Sequence, residues 1–122
     1  DGNPKCSRCD IHVETLMHVL RDCWVAAELW KDLHYWQVEK DFMVLDGKEW
    51  LIWNLNRPVN GWSLTFGVAC WMLWQWRNRW LFEDGFKLPI GLGSAVYGYV
   101  REINNAREEF GRSVGQRVEK YI

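Results

Sequence analysis

Along most of this chain the hydrophobic positions recur with the period of a helix. From Trp24 to Trp36, WVAAELWKDLHYW puts apolar residues at 26, 29, 30, 33 and 36, with Asp22 ahead as a cap and no proline or glycine inside. The pattern predicts a helix there, and residues 37–45 then lose the period. A shorter helix is expected from Gly47 to Leu55, ending before Pro58, because a proline drives the residue ahead of it out of helical geometry. The stretch from Gly61 to Gly85 is apolar nearly all round between Leu64 and Trp74, which predicts a central, most buried helix with Gly85 as its stop. After the linker KLPIGLG, a last helix is expected from about Ser94 to Tyr121, with Val96, Val100, Ile103, Phe110, Val114 and Val118 on its apolar side. Gly111 and Gly115 weaken its final turns. No segment carries a strand pattern, repeat or low-complexity tract. The expected class is mostly α, with a small N-terminal knuckle on a bundle of about four helices. One domain is expected over residues 1–122: knuckle and first helices in 1–36, central helices in 46–85, C-terminal helix in 89–122.

Composition changes this picture in one respect. A chain of 122 residues buries about two thirds of its unfolded surface, and 48% hydrophobic residues can fill such a core. Ten tryptophans overfill it, since each aromatic side chain occupies about 150–250 Å² of buried surface. Some are therefore expected at the surface, where tryptophan favours a partner; the plainer alternative is a bulky helical core. Fifteen basic against sixteen acidic residues leave a net charge of −1, which argues against a broad phosphate-binding face but not against a local basic patch. The most apolar run, Trp62 to Trp76, is too short to span a membrane and is followed by Arg77 and Arg79. No stretch reads as a secretory signal, so an intracellular setting, nucleus or cytoplasm, is expected, and the cysteines read as thiolate ligands rather than disulfides. The start at Asp1 fits a processed form or a piece of a longer protein.

The candidate chemistry lies in CSRCDIHVETLMHVLRDC, where Cys6, Cys9, His18 and Cys23 form C-x2-C-x8-H-x4-C. Three thiolates and an imidazole make a closed tetrahedral set for Zn2+. On one continuous α-helix His18 and Cys23 would lie about 140° apart. A break between them is therefore expected: a short helix ending near His18 to Leu20, then a corner at Arg21-Asp22. Cys23 would open the next helix, whose dipole favours a thiolate. Three thiolates on a dication leave one negative charge, which Lys5, Arg8 and Arg21 are close enough in sequence to offset. His12 competes with His18 for the fourth position, His34 lacks ligand spacing, and Cys70 in VACWML reads as a small buried residue. A closed set stabilises a fold and leaves no site to activate water.

These residues carry a resemblance. The C-x2-C pair, the acidic-Thr step Glu14-Thr15, His18, Cys23 and Trp30 resemble the zinc-binding domain that follows the reverse transcriptase in plant LINE-type (non-LTR) retroelements. Members of that family carry ribonuclease H or reverse-transcriptase zinc-binding labels. Its W-x2-R-N-x3-F pattern is matched by Trp74, Arg77, Asn78 and Phe82, and the Trp50-Leu51 step also fits, so the resemblance covers residues 4–83. It implies a retroelement-derived plant module with a structural zinc, working in a nucleic-acid context.

Two functions stay open at this point. In the first, RNA or single-stranded DNA stacks on the WQWRNRW segment, where Trp76, Arg79 and Trp80 share a helix side beside Arg77. The competing view packs Trp74 and Trp80 in the core and pairs the arginines with acidic neighbours such as Glu83. In the second, the chain is a protein-interaction or scaffold module that uses its surplus tryptophan or a C-terminal stripe of Val96, Val100, Ile103 and Phe110, a stripe that core packing would equally explain. An enzyme is not expected. No carboxylate cluster, nucleophile–base pair or phosphate loop is visible, and GLGSAVYG has neither a preceding strand nor a following lysine.

Overall fold

A computed structural model describes residues 5–10, 12–33 and 41–120. Among these residues the architecture is helical, with no strand beyond an isolated antiparallel bridge between Lys5 and Val13. A π turn, His18–Asp22, leads into α1 (Trp24–Asp32), α2 (Gly47–Leu55), α3 (Trp62–Phe82) and α4 (Leu92–Lys120). None of the described helices is long and apolar enough to cross a membrane.

Local chemistry accounts for the boundaries. Cys23 caps α1 in extended geometry, and Leu33 closes it, so the helix stops at Asp32; the expected extension to Trp36 lies outside the described residues. Asp46 starts α2 by accepting a hydrogen bond from Gly47 N at 2.9 Å. Gly61 enters α3 with φ 79°, a left-handed conformation that a side chain would oppose. α3 ends at Phe82, earlier than the expected Gly85 stop, because Glu83 is already extended; Gly85 serves the turn beyond it. α4 begins two residues before Ser94. Its first turn is fastened to the end of α1 by a hydrogen bond from Gly93 N to Asp32 Oδ2 at 3.1 Å. A Cβ on Gly93 would come within 2.7 Å of the Asp32 Cβ, so the close approach of α4 to α1 requires glycine there.

The core is an aromatic cluster around Trp30. Its ring lies 5.1 Å from Phe42, 5.8 Å from Trp50 and 5.5 Å from Phe66, and its Nε1 donates to Leu20 O at 2.8 Å. Trp30 is fully buried. Burying one such ring is worth about 4–6 kcal/mol by area. The buried Asn54 is satisfied on both sides, donating to Trp50 O at 2.7 Å and accepting from Trp62 Nε1 at 2.9 Å.

α3 packs against α1, α2, α4 and the π turn, which makes it the central helix as expected. It is not buried all round. Phe66, Ala69, Leu73 and Trp76 face the core, while Trp71, Trp74, Leu81 and Phe82 stand on an open side. Apolar sequence alone does not bury a helix that neighbours cover on one side only. α4 divides in a similar way. Val96 is buried and Val100 and Ile103 pack on the core, whereas Phe110 and Val114 are exposed on its C-terminal half.

Candidate metal centre

The knuckle folds by a short reversal. Cys6 N donates to His12 O at 2.9 Å, and Asp10 N donates to Cys6 O at 2.7 Å, closing the C-x2-C turn. Asp10 closes it at φ 54°, a left-handed position that an aspartate accepts more readily than most side chains. The turn is anchored from outside by Trp24, whose Nε1 donates to Arg8 O at 3.3 Å.

The His18–Cys23 step corrects the expected corner. The chain does not turn at Arg21-Asp22; it widens into a π turn in which Cys23 N donates to His18 O at 2.7 Å. An i→i+5 turn takes up one extra residue, so residues five apart return to one face. The break comes at Cys23 itself, with ψ 150° ahead of α1, and Cys23 occupies the helix N-terminus as expected. Thr15 steadies the entry to this segment by accepting from His18 N at 3.1 Å through its Oγ1.

The four candidate ligands converge. The sulfurs of Cys6, Cys9 and Cys23 and a ring nitrogen of His18 all lie within 4.8 Å of one another. Cys6 Sγ and Cys23 Sγ are 3.8 Å apart, and Cys9 Sγ is 3.4 Å from His18 Nε2. A tetrahedral ion with zinc-type bonds of about 2.3 Å to sulfur and 2.0–2.1 Å to nitrogen has edges of about 3.8 Å and 3.6 Å. A disulfide would need sulfurs about 2.05 Å apart, and all four cysteines are free. The donor set therefore fits a metal ion and can hold one. His12 is not part of it: its exposed ring lies 5.6 Å from that of His18.

Electrostatics suit the same reading. Burial, followed by the neighbouring His12 charge, holds His18 below its ordinary value of 6.5, which favours the neutral imidazole a metal needs. Burial pushes the Cys23 thiol up to about 11, although the Val25 backbone N–H at the start of α1 works the other way. Desolvation thus outweighs the helix N-terminus, and deprotonation of this sulfur calls for a cation. Cys70 is half-buried, with its thiol pushed up to about 12 by desolvation, and takes no part.

The three expected counter-cations part company. Lys5 is exposed. Arg21 is buried and spent elsewhere, with Nε donating to Asp22 Oδ1 at 2.7 Å and Nη1 to Leu45 O at 2.6 Å. Arg8 remains. Its Nε, Nη1 and Nη2 are all buried with no hydrogen-bond partner, close enough for its charge to bear on Cys23 and His18.

The second group of expected contact residues is distributed otherwise. Trp76 is buried, because its side of α3 faces the core, so it presents no stacking face. Trp80 and Trp74 are exposed, at 37% and 40%, which also excludes them from the core. Arg77 reaches back to the knuckle: its Nε donates to Glu14 Oε1 at 3.0 Å, its Nη2 donates to the same oxygen, and its guanidinium lies 5.2 Å from the Trp74 ring. Its Nη1 donates to Asn78 Oδ1 at 3.0 Å. Arg79 forms a two-pronged pair with Glu83 at 2.8 and 2.9 Å, as the competing view held for it. Sequence reasoning missed Glu14 as the partner of Arg77. The pairing spans 63 residues, and the two residues stand in separate patterns of the sequence, so nothing in it linked them.

Comparison with known proteins adds one partial likeness. Over 86 residues, 67% of its length, the chain is 31% identical to an Arabidopsis thaliana protein named "Putative ribonuclease H protein". The match spans 14% of that protein. No family model and no solved structure matches the chain. The name fits the retroelement resemblance that Cys6, Cys9, His18 and Cys23 carry.

Proposed function

We propose that this chain is a zinc-stapled, non-catalytic helical module of retroelement and plant origin that binds nucleic acid, either RNA or single-stranded DNA, inside the cell. The observation that carries the zinc reading is the pair of edge lengths, 3.8 Å and 3.4 Å, which suit a tetrahedral Cys3His ion. All four donors come from the protein, so the ion organises the knuckle and leaves no position for a substrate or water. Among the described residues no second group of His, Cys, Asp or Glu converges in this way, which supports a structural role over a nuclease. The nucleic-acid reading draws on the relative's name and on Trp74 and Trp80, exposed beside Arg77 and Arg79, as stacking platforms.

A second reading, a protein-docking module, has its own observation. Both arginines of the segment are already neutralised by Glu14 and Glu83, while Trp71 and Tyr99 form an exposed aromatic pair 5.2 Å apart. Such a surface suits an apolar partner better than phosphate.

Native mass spectrometry of wild type and Cys23→Ser tests the staple. One zinc per chain, lost or weakened in the variant along with knuckle order, is expected; a folded wild type without metal would sink the proposal. Titration with a single-stranded oligonucleotide at rising salt then separates the two readings. Binding that weakens steeply with salt and falls in Arg77→Ala/Arg79→Ala supports nucleic acid. Absence of binding at low salt would transfer the case to docking.

A further inference from the structure

A buried guanidinium with three unpartnered donors needs an anion, and the surroundings of Arg8 narrow the choice. Of the carboxylates at the knuckle, Asp22 is committed to Arg21 and Glu14 to Arg77, while Asp10 is exposed and makes no hydrogen bond to the Arg8 guanidinium. Arg21 is turned away by its bonds to Asp22 and Leu45 O, and Lys5 is exposed. Arg8 itself lies inside the C-x2-C turn, with its backbone carbonyl pinned by Trp24. A Cys3His site holding a dication carries one surplus negative charge, concentrated on its sulfurs.

We infer that Arg8 is the charge-balancing partner of this site, its buried guanidinium set against the surplus negative charge of the metal-bound thiolates. The inference rests on the zinc reading above and deepens it. One buried positive charge against one surplus negative charge makes the knuckle neutral as a whole, so that neither is left uncompensated away from water. Partners outside the ligand shell commonly tune such sites, and their loss weakens metal affinity about 10–100-fold.

The test uses wild type, Arg8→Met, which keeps bulk without charge, and Arg8→Lys, which restores charge without the planar fork. Zinc affinity is measured by competition with a chromophoric chelator, and the thiolate-to-metal charge-transfer band is recorded after loading with Co2+. Arg8→Met is expected to bind one ion with affinity weakened about 10–100-fold. Its cobalt band should move to lower energy, since sulfurs relieved of a neighbouring positive charge are stronger donors, and Arg8→Lys should recover part of both effects. Wild type that binds one ion beside an Arg8→Met variant of equal affinity and unmoved band would overturn the Arg8 assignment while leaving the site intact. Weakened affinity with an unmoved band would reduce Arg8 to a packing residue and overturn it equally. Wild type that binds neither ion would remove the zinc reading and this inference together.

Discussion

Breaking the clasp between Glu14 and Arg77 should loosen the knuckle from the helical body by a measurable and separable amount. The two side chains are 13% and 22% exposed, neither fully buried nor free in solvent. Removing one member of a fully buried pair costs about 3–5 kcal/mol, because the other charge is left stranded. Exposed pairs contribute about 0–1 kcal/mol. Arg77 spends two donors on one carboxylate oxygen rather than forming a fork on both, which lowers its share, while Asn78 and the Trp74 ring hold the guanidinium in place and raise it. Arg77→Ala is therefore expected to cost about 2 kcal/mol, with about 1–2 kcal/mol of that appearing as coupling to Glu14.

The measurement is a double-mutant cycle of Glu14→Gln, Arg77→Ala and the combination, unfolded by urea with zinc saturating throughout so that mass action is the same in every sample. In a chain of this length the single change should lower Tm by about 6–10 °C. If the two substitutions prove additive within about 0.3 kcal/mol, the clasp stabilises nothing and the contact geometry has misled. If Arg77→Ala leaves Tm unchanged and abolishes oligonucleotide binding instead, Arg77 is a phosphate contact, and its bond to Glu14 is incidental.

Three further outcomes are expected. Gly93→Ala should destabilise by about 1–3 kcal/mol, because its Cβ would meet Asp32 at 2.7 Å, whereas Gly98→Ala, with nothing within 4 Å, should stabilise by up to about 1 kcal/mol; thermal melts of the two distinguish them. Val96→Ala should cost about 1–3 kcal/mol and Phe110→Ser less than about 0.5 kcal/mol, since one is fully buried and the other 72% exposed; equal costs in chemical denaturation would mean that the distal half of α4 is covered. For pH, His18 is held below 6.5 by burial, so the folded chain takes up this proton later than the unfolded chain does. The stability it contributes is complete above pH 6.5 and is lost as pH falls through 6.5 toward the folded value, so urea midpoints should drop on acidification and this part of the drop should vanish in His18→Gln.

Helix positions were legible in the sequence because hydrophobic period and end signals agree. Gly47–Leu55 is found as expected, since Asp46 caps one end and Pro58 lies just past the other. The convergence of the candidate ligand set was legible for a similar reason, as cysteine and histidine spacing is a local property. Its backbone was only half legible. A five-residue step on an α-helix separates two ligands, and two remedies exist, a corner or a wider turn. Spacing cannot choose between them. The choice falls to the packing around the turn: with the break held at Cys23, Trp30 donates to Leu20 O and Arg21 to Leu45 O. A corner at Arg21-Asp22 would pull Arg21 from Leu45 O.

What a charged or aromatic side chain does was the least legible part, because it depends on neighbours that sequence distance conceals. Trp74, Trp76 and Trp80 sit within one short segment and meet different fates, decided by which side of α3 is covered. Arg77 and Arg79 look like a pair; one holds the knuckle from 63 residues away, and the other holds its own helix end through Glu83. This bears on the residues that carry the resemblance. Glu14 and Arg77 join the knuckle to α3, and Trp30 ties α1 back to Leu20 O, while Thr15 steadies His18 N within the knuckle and Asn78 steadies Arg77 within α3. Phe82, by contrast, is 82% exposed and holds nothing in this chain. Contacts that hold the candidate metal site and its scaffold together account for Glu14, Thr15, Trp30, Arg77 and Asn78 without any partner. The exposed remainder, Phe82 with Trp71 and Tyr99, is then where a partner should be sought.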